Sequence, residues 1–219
     1  ILLGKLGGTL MPLGYEPRFG NIRESLERVN LGNHKYDFGL HTWSLIGPDI
    51  AQSDYSLLDA SLKKGCCEIQ ETAREAVDSV VVINRSEESI FALHGQLLRG
   101  AKQNRAINLT TMFPPESETT IHVACVEQGR WNTGKSFSDA SWVQSAAGRS
   151  EKLGSVLDDL WWTGAGKADQ QRVWSQQSIK EQHLNVQSRT HDEIEIQERG
   201  LDSDINYAIA TWPLETDQV

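Results

Sequence analysis

Gly95-Gln96-Leu97-Leu98-Arg99-Gly100-Ala101-Lys102-Gln103-Asn104-Arg105 and Cys125-Val126-Glu127-Gln128-Gly129-Arg130-Trp131 bracket two apolar segments joined by Pro114-Pro115-Glu116-Ser117-Glu118. Apolar runs on either side of a Pro-rich turn read as a β-hairpin, and both polar runs then lie at its open end. Centring the turn near Glu116 sets Arg105 opposite Glu127, Asn104 opposite Gln128 and Lys102 opposite Arg130. Strand alternation puts Arg105 and Glu127 on the face that carries Ile107, Leu109, Phe113, Ile121, Val123 and Cys125. Two opposite charges at the rim of an apolar face must pair or meet a ligand, so a salt bridge between Arg105 and Glu127 is expected. A one-residue slip of register would turn both to the other face.

Outward from the hairpin, Tyr55 to Lys64 reads as a helix stopped by Gly65, with Leu57, Leu58 and Leu62 on one face. Strand-like runs follow at Cys67–Thr72, Ser79–Asn84, Ile90–Leu97, Ala106–Phe113 and Thr119–Glu127. Their links are too short for crossover helices, which demands antiparallel neighbours. Beyond Trp131, Leu153, Val156, Leu157, Leu160 and Trp161 recur at helical spacing, and a glutamine-rich helix is predicted from Lys167 to about Asn185. Ile205–Trp212 fits strand or helix. Residues 1–50, rich in Gly, Pro and Asn, read as extended and loop-like with one helix over Ile22–Val29. The expected fold class is α+β, an antiparallel β-sandwich-like core with flanking C-terminal helices. It is read as one domain, 1–219, with a variable N-terminal segment (1–50), a β core (51–131) and a mainly helical remainder (132–219).

Gly-x-x-Leu-x-Gly-x-Lys-Gln-Asn-Arg, a Pro-rich turn and Cys-Val-Glu-Gln-Gly-Arg-Trp together resemble the ADP-ribosylglycohydrolase and rhodanese-phosphatase associated protein domain. The resemblance runs from about Tyr55 to Trp131, with an echo at Asp169-Gln170 and Val173-Trp174. Members often carry an acidic residue where this chain has Gln96. The family name records the company its genes keep, which implies a link to NAD or ADP-ribose chemistry and establishes no activity.

A formal net charge of −9 and a pI near 5.2 argue against binding along a phosphate backbone, so no nucleic-acid partner is expected. A 38% hydrophobic share with 23% charged residues is that of a soluble globular protein, and no apolar stretch approaches the roughly 20 residues that span a membrane. No signal peptide is evident, and three cysteines with Cys66 and Cys67 adjacent make no disulfide framework, which fits a cytoplasmic location. Starting at Ile1 and stopping at Val219 just after an apolar segment is consistent with ends cut from a longer polypeptide.

Gly129-Arg130-Trp131-Asn132-Thr133-Gly134-Lys135-Ser136 satisfies the P-loop pattern. A phosphate cradle needs a parallel strand before it and a helix after it, whereas these strands read as antiparallel and Phe137–Ser145 is a poor helix, so the match is read as chance. Cys125 would serve as a nucleophile if Arg105 lowered its pKa across the hairpin, but it is read as a small buried strand residue. The six histidines show no ligand spacing, and neither a metal nor a cofactor is expected. Two functions remain. In the first, an ADP-ribose-like or NAD-derived anion is bound or processed by Lys102, Gln103, Asn104, Arg105, Gln128, Arg130 and Trp131, with Glu127 as general acid or base. In the second, the same sheet end belongs to a non-catalytic binding or interaction module. An open cleft at Glu127 and Trp131 favours the first, a closed salt-bridged edge the second.

Overall fold

The computed structural model describes residues 26–37, 39–47, 55–72, 76–131, 134 and 136–211. The chain separates into two compact units, one of 1–53 with 212–219 and one of 54–211.

In the first unit, β1 (Asn30–Asp37) and β2 (Leu40–Ile46) form an antiparallel hairpin. This corrects the loop-like reading of that segment. Of the helix expected over Ile22–Val29, 22–25 lie outside the described residues, and Leu26 and Glu27 are helical.

The second unit is built on β3 (Tyr55–Leu57), α1 (Leu58–Lys64), β4 (Cys67–Glu71), β5 (Ser79–Asn84), β6 (Ser89–Ala92), β7 (Gln96–Gly100), β8 (Arg105–Ile107), β9 (Thr111–Phe113), β10 (Ser117–Cys125), β11 (Ser136–Val143), α2 (Ala146–Thr163), α3 (Gln170–Leu184) and α4 (Glu193–Thr211). Gly65 caps α1 in the left-handed region at φ 74°, as its position predicted. Ser145 accepts a hydrogen bond from Gly148 N at the start of α2, and Asp169 accepts from Gln171 N and Arg172 N at the start of α3.

The β-sandwich expectation is wrong. Six strands close into one antiparallel barrel in the order β10-β5-β4-β11-β7-β8. Closure comes from β10, whose first part pairs with β5 (Ser117 opposite Asn84 to His122 opposite Ser79) and whose last three residues pair with β8. A strand that joins both edges of a curled sheet removes the edges that a two-sheet sandwich would leave. The hairpin is likewise interrupted. Residues 108–110 leave the ladder, and β9 pairs with β6 in a small sheet, β3-β6-β9, whose β3–β6 pairing is parallel.

Two apolar layers result. Ile69, Val80, Val82, Leu98, Ile107 and Val123 fill the bore, which α1 and the small sheet close at one end with Leu58, Ile90 and Phe113. On the outside, Leu97, Ala106, Ala124 and Val126 pack under Val173 of α3 and Ile194 of α4. In α2 the buried positions are Gly148, Lys152, Ser155 and Val156, while Leu157, Trp161 and Trp162 are exposed. The inward face is therefore turned from the one that the Leu153–Trp161 spacing predicted. None of the helices, as far as the described residues go, is long and apolar enough to cross a membrane.

Candidate functional site

The barrel end opposite α1 gathers Lys102–Arg105 and Glu127–Trp131 of the two polar runs, while Gln96 lies at the α1 end beside Leu57 and Leu58. Arg105 opens β8 with the inward parity of Ile107, and its side chain lies in the bore at 0% exposure. The ladder sets Arg105 opposite Cys125 and Ala106 opposite Ala124, a register two residues away from the expected one. The parity of the faces survives a shift of two. The partner does not: Arg105 Nη2 lies 3.7 Å from Oε1 of Glu71, the last residue of β4, and the expected pairing with Glu127 is replaced. Arg105 Nη1 also donates to Gln103 Oε1 (3.3 Å) and Asn104 O (3.4 Å).

Glu127 pairs with Arg130 instead, Nη2 to Oε2 at 2.7 Å and Nε to Oε1 at 2.7 Å. Its Oε2 also accepts from Asn104 N (3.1 Å) and its Oε1 from Thr190 Oγ1 (3.1 Å). The carboxylate thus accepts three hydrogen bonds, two at Oε1 and one at Oε2, with the Arg130 ion pair beside Oε2, at 3% residue exposure. Arg130 spends its remaining donors on Ala101 O, Gly100 O and Asn104 Oδ1. Asn104 completes the weave by accepting from Gly100 N and donating to Asp192 Oδ1. Gly100 sits at φ 128°, and a methyl group there would come within 2.7 Å of Ser136 O, so this turn requires glycine.

Asp192 precedes α4 and accepts from Ile194 N. Burial pushes its carboxyl above the ordinary range, against the opposing hydrogen bond from Asn104. Burial likewise pushes the Cys125 thiol up, the reverse of what a nucleophilic cysteine needs. At the rim, Trp131 is 61% exposed, and Nζ of Lys102, a residue buried to 8% exposure, stands 4.9 Å from its ring centroid. Gln128 is exposed beside it, and Gln103 Nε2 reaches the backbone carbonyl of Glu127 at 2.8 Å.

Of the remaining cations, Arg99 pairs with Glu198 at 2.5 Å, and Lys135 lies outside the described residues. Ser136 opens the strand β11 in place of the helix that a phosphate cradle requires. Glu71, Thr190 and Asp192 are the members that sequence reasoning missed. Glu71 shares parity with Ile69, and Asp192 stands as a helix-start residue before Glu193, so each had a local signal but none for its partner. A cleft of about 620 Å³ beyond this cluster is lined by Ser178, Glu181, Asn185, Ser188 and His191, with His191 Nδ1 2.8 Å from Glu181 Oε2. Among the described residues no group of three or more His, Cys, Asp or Glu is arranged to hold a metal ion.

The family model for the ARG and Rhodanese-Phosphatase-superfamily-associated Protein domain matches residues 31–219, and the chain belongs to this family. The family is associated with ADP-ribosylglycohydrolase and rhodanese-phosphatase proteins. Comparison with curated proteins and comparison with solved structures each returned no match.

Proposed function

We propose that this chain is a non-catalytic binding module in which the polar cluster locks one barrel end, while the rim beside it, Trp131 with Lys102, receives an ADP-ribose-like ligand. The saturation of Glu127 carries this reading. A general acid or base must come within hydrogen-bond reach of a substrate proton, whereas this buried carboxylate already accepts three hydrogen bonds and is ion-paired with Arg130. Trp131 is placed differently. Its exposed indole suits a stacked adenine, and the buried Lys102 ammonium against the ring adds positive charge at that edge, which favours an anionic ligand. The family's association with ADP-ribosylglycohydrolase supports that ligand class.

The test joins thermal melting to product analysis. ADP-ribose is expected to raise the melting temperature by mass action without being consumed, as is NAD. Trp131→Ala should remove that shift, whereas Arg172→Ala, whose guanidinium pairs with Glu151 on the neighbouring helix, should keep it. Glu127→Gln should lower the melting temperature of the unliganded protein. Turnover of either compound that disappears in a folded Glu127→Gln protein would restore an enzyme, and a shift untouched by Trp131→Ala would place the ligand elsewhere.

A further inference from the structure

On the β1–β2 hairpin, His34 stands opposite Trp43 and Tyr36 opposite His41, so four rings of alternating residues meet across the two strands. The His34 and His41 rings meet edge to edge with centroids 5.1 Å apart and planes 13° apart, Trp43 lies 4.7 Å from His34, and Tyr36 lies 4.5 Å from His41. All four are exposed. Within this ladder Nε2 of His34 is 2.8 Å from Nδ1 of His41. That hydrogen bond requires one nitrogen to carry a proton and the other a lone pair. Moving the proton to the donor ring's other nitrogen leaves two lone pairs facing a shared point, with no net gain or loss of protons.

We propose that His34 and His41 form a bidentate site for a borderline transition-metal dication, Zn²⁺ or Cu²⁺, which staples β1 to β2. Bonds of about 2.0–2.1 Å at a tetrahedral angle hold two nitrogens roughly 3.3 Å apart, so the pair must open by about half an ångström and each ring must turn by roughly 35° to aim its lone pair at the metal, a motion that exposed rings at a hairpin surface can make. Water completes the shell. Imidazole nitrogens select this class over Mg²⁺ and Ca²⁺, which take oxygen. A two-stranded hairpin is marginal by itself in water, and a ligand binding only its paired form stabilises it. The site is independent of the reading given to Trp131.

The experiment titrates Cu²⁺ into the full chain and follows tryptophan emission, because Trp43 lies close enough to report. Quenching that is reversed by EDTA, not reproduced by Mg²⁺, and much reduced in Trp43→Phe is expected. His34→Phe and His41→Phe keep a ring in the ladder while removing a ligand, and each should raise the Cu²⁺ midpoint by about tenfold or more. Zn²⁺ should slow hydrogen exchange of the hairpin amides in the parent chain and in neither variant. A Cu²⁺ midpoint unchanged in both variants, or hairpin exchange indifferent to Zn²⁺, would overturn the site.

Discussion

Arg105→Ala destabilises the protein by about 3–5 kcal/mol, the cost of leaving a buried charge without its partner. Glu71 would then remain in the bore as a carboxylate at 5% side-chain exposure. Gln103 Oε1 would lose its donor, and the turn that Gly100, Asn104 and Arg130 share would lose one of its anchors. Urea unfolding followed by far-UV circular dichroism measures the loss directly. The double variant Arg105→Met with Glu71→Met should recover most of it, because an apolar pair of similar volume in a bore lined by Ile69, Ile107 and Val123 has no desolvation cost to offset. An Arg105→Ala protein within about 1 kcal/mol of the parent would mean that the charge is not confined as the geometry requires.

That pair marks the boundary of what the sequence discloses. Three strands were legible from their own alternation: Ser79–Asn84 is a strand from end to end, and Cys67–Glu71 and Ser117–Cys125 differ from the reading only at their ends, whereas the expected runs Ile90–Leu97 and Ala106–Phe113 each divide between the barrel and the small sheet, and the barrel strand Ser136–Val143 was missed. The first helix announced its end through Gly65, a left-handed cap, whereas the glutamine-rich helix, expected from Lys167, starts only after its N-cap Asp169. The polar runs around Arg105 and Glu127 were correctly read as converging on one place. Which cation meets which carboxylate was not legible. Glu71 reaches Arg105 across the bore from β4, a strand that does not pair with β8, and no pattern within either strand encodes that meeting.

Sandwich and barrel write the same alternation into every strand. They differ in whether one strand spans both edges, and β10 does so by changing partners within its own length. The β1–β2 hairpin was hidden by Gly and Asn in Asn30–Asn33, although His34, Tyr36, His41 and Trp43 held a period-two signal that reveals it. In α2 the large apolar residues misled, because Leu157 and Trp161 face outward while a lysine lies inward. Periodicity assumes that buried positions are apolar, and Lys152 breaks that assumption.

Lys152 therefore carries the largest pH effect expected of this protein. Its side chain is wholly buried at 0% exposure, and Nζ donates to Ile107 O at 2.5 Å. Burial pushes the ammonium down from 10.5 to about 7; Glu193 opposes that shift and Arg149 adds to it. Of its neighbours, His94 is pushed down to about 4 by burial and titrates below this range, while burial raises Glu193, which Lys180 pairs. Between about pH 7 and 10.5 the unfolded chain binds the proton that the folded chain has released, so stability rises with pH over that window and is lost as pH falls towards 7. The gain from pH 7 to 9 should be about 2 kcal/mol. Above pH 9 the Cys67 thiol, which burial pushes up to about 11, works in the opposite direction, so the measurement stops there. Lys152→Met should be more stable than the parent at pH 7 and should lose the slope, since a thioether chain fills the same path under α2 without a charge to desolvate. Denaturation midpoints of both proteins at pH 7, 8 and 9 decide it. A parent curve that is flat over this range, or a variant that keeps the slope, would show that the ammonium is not held dry between α2 and β8.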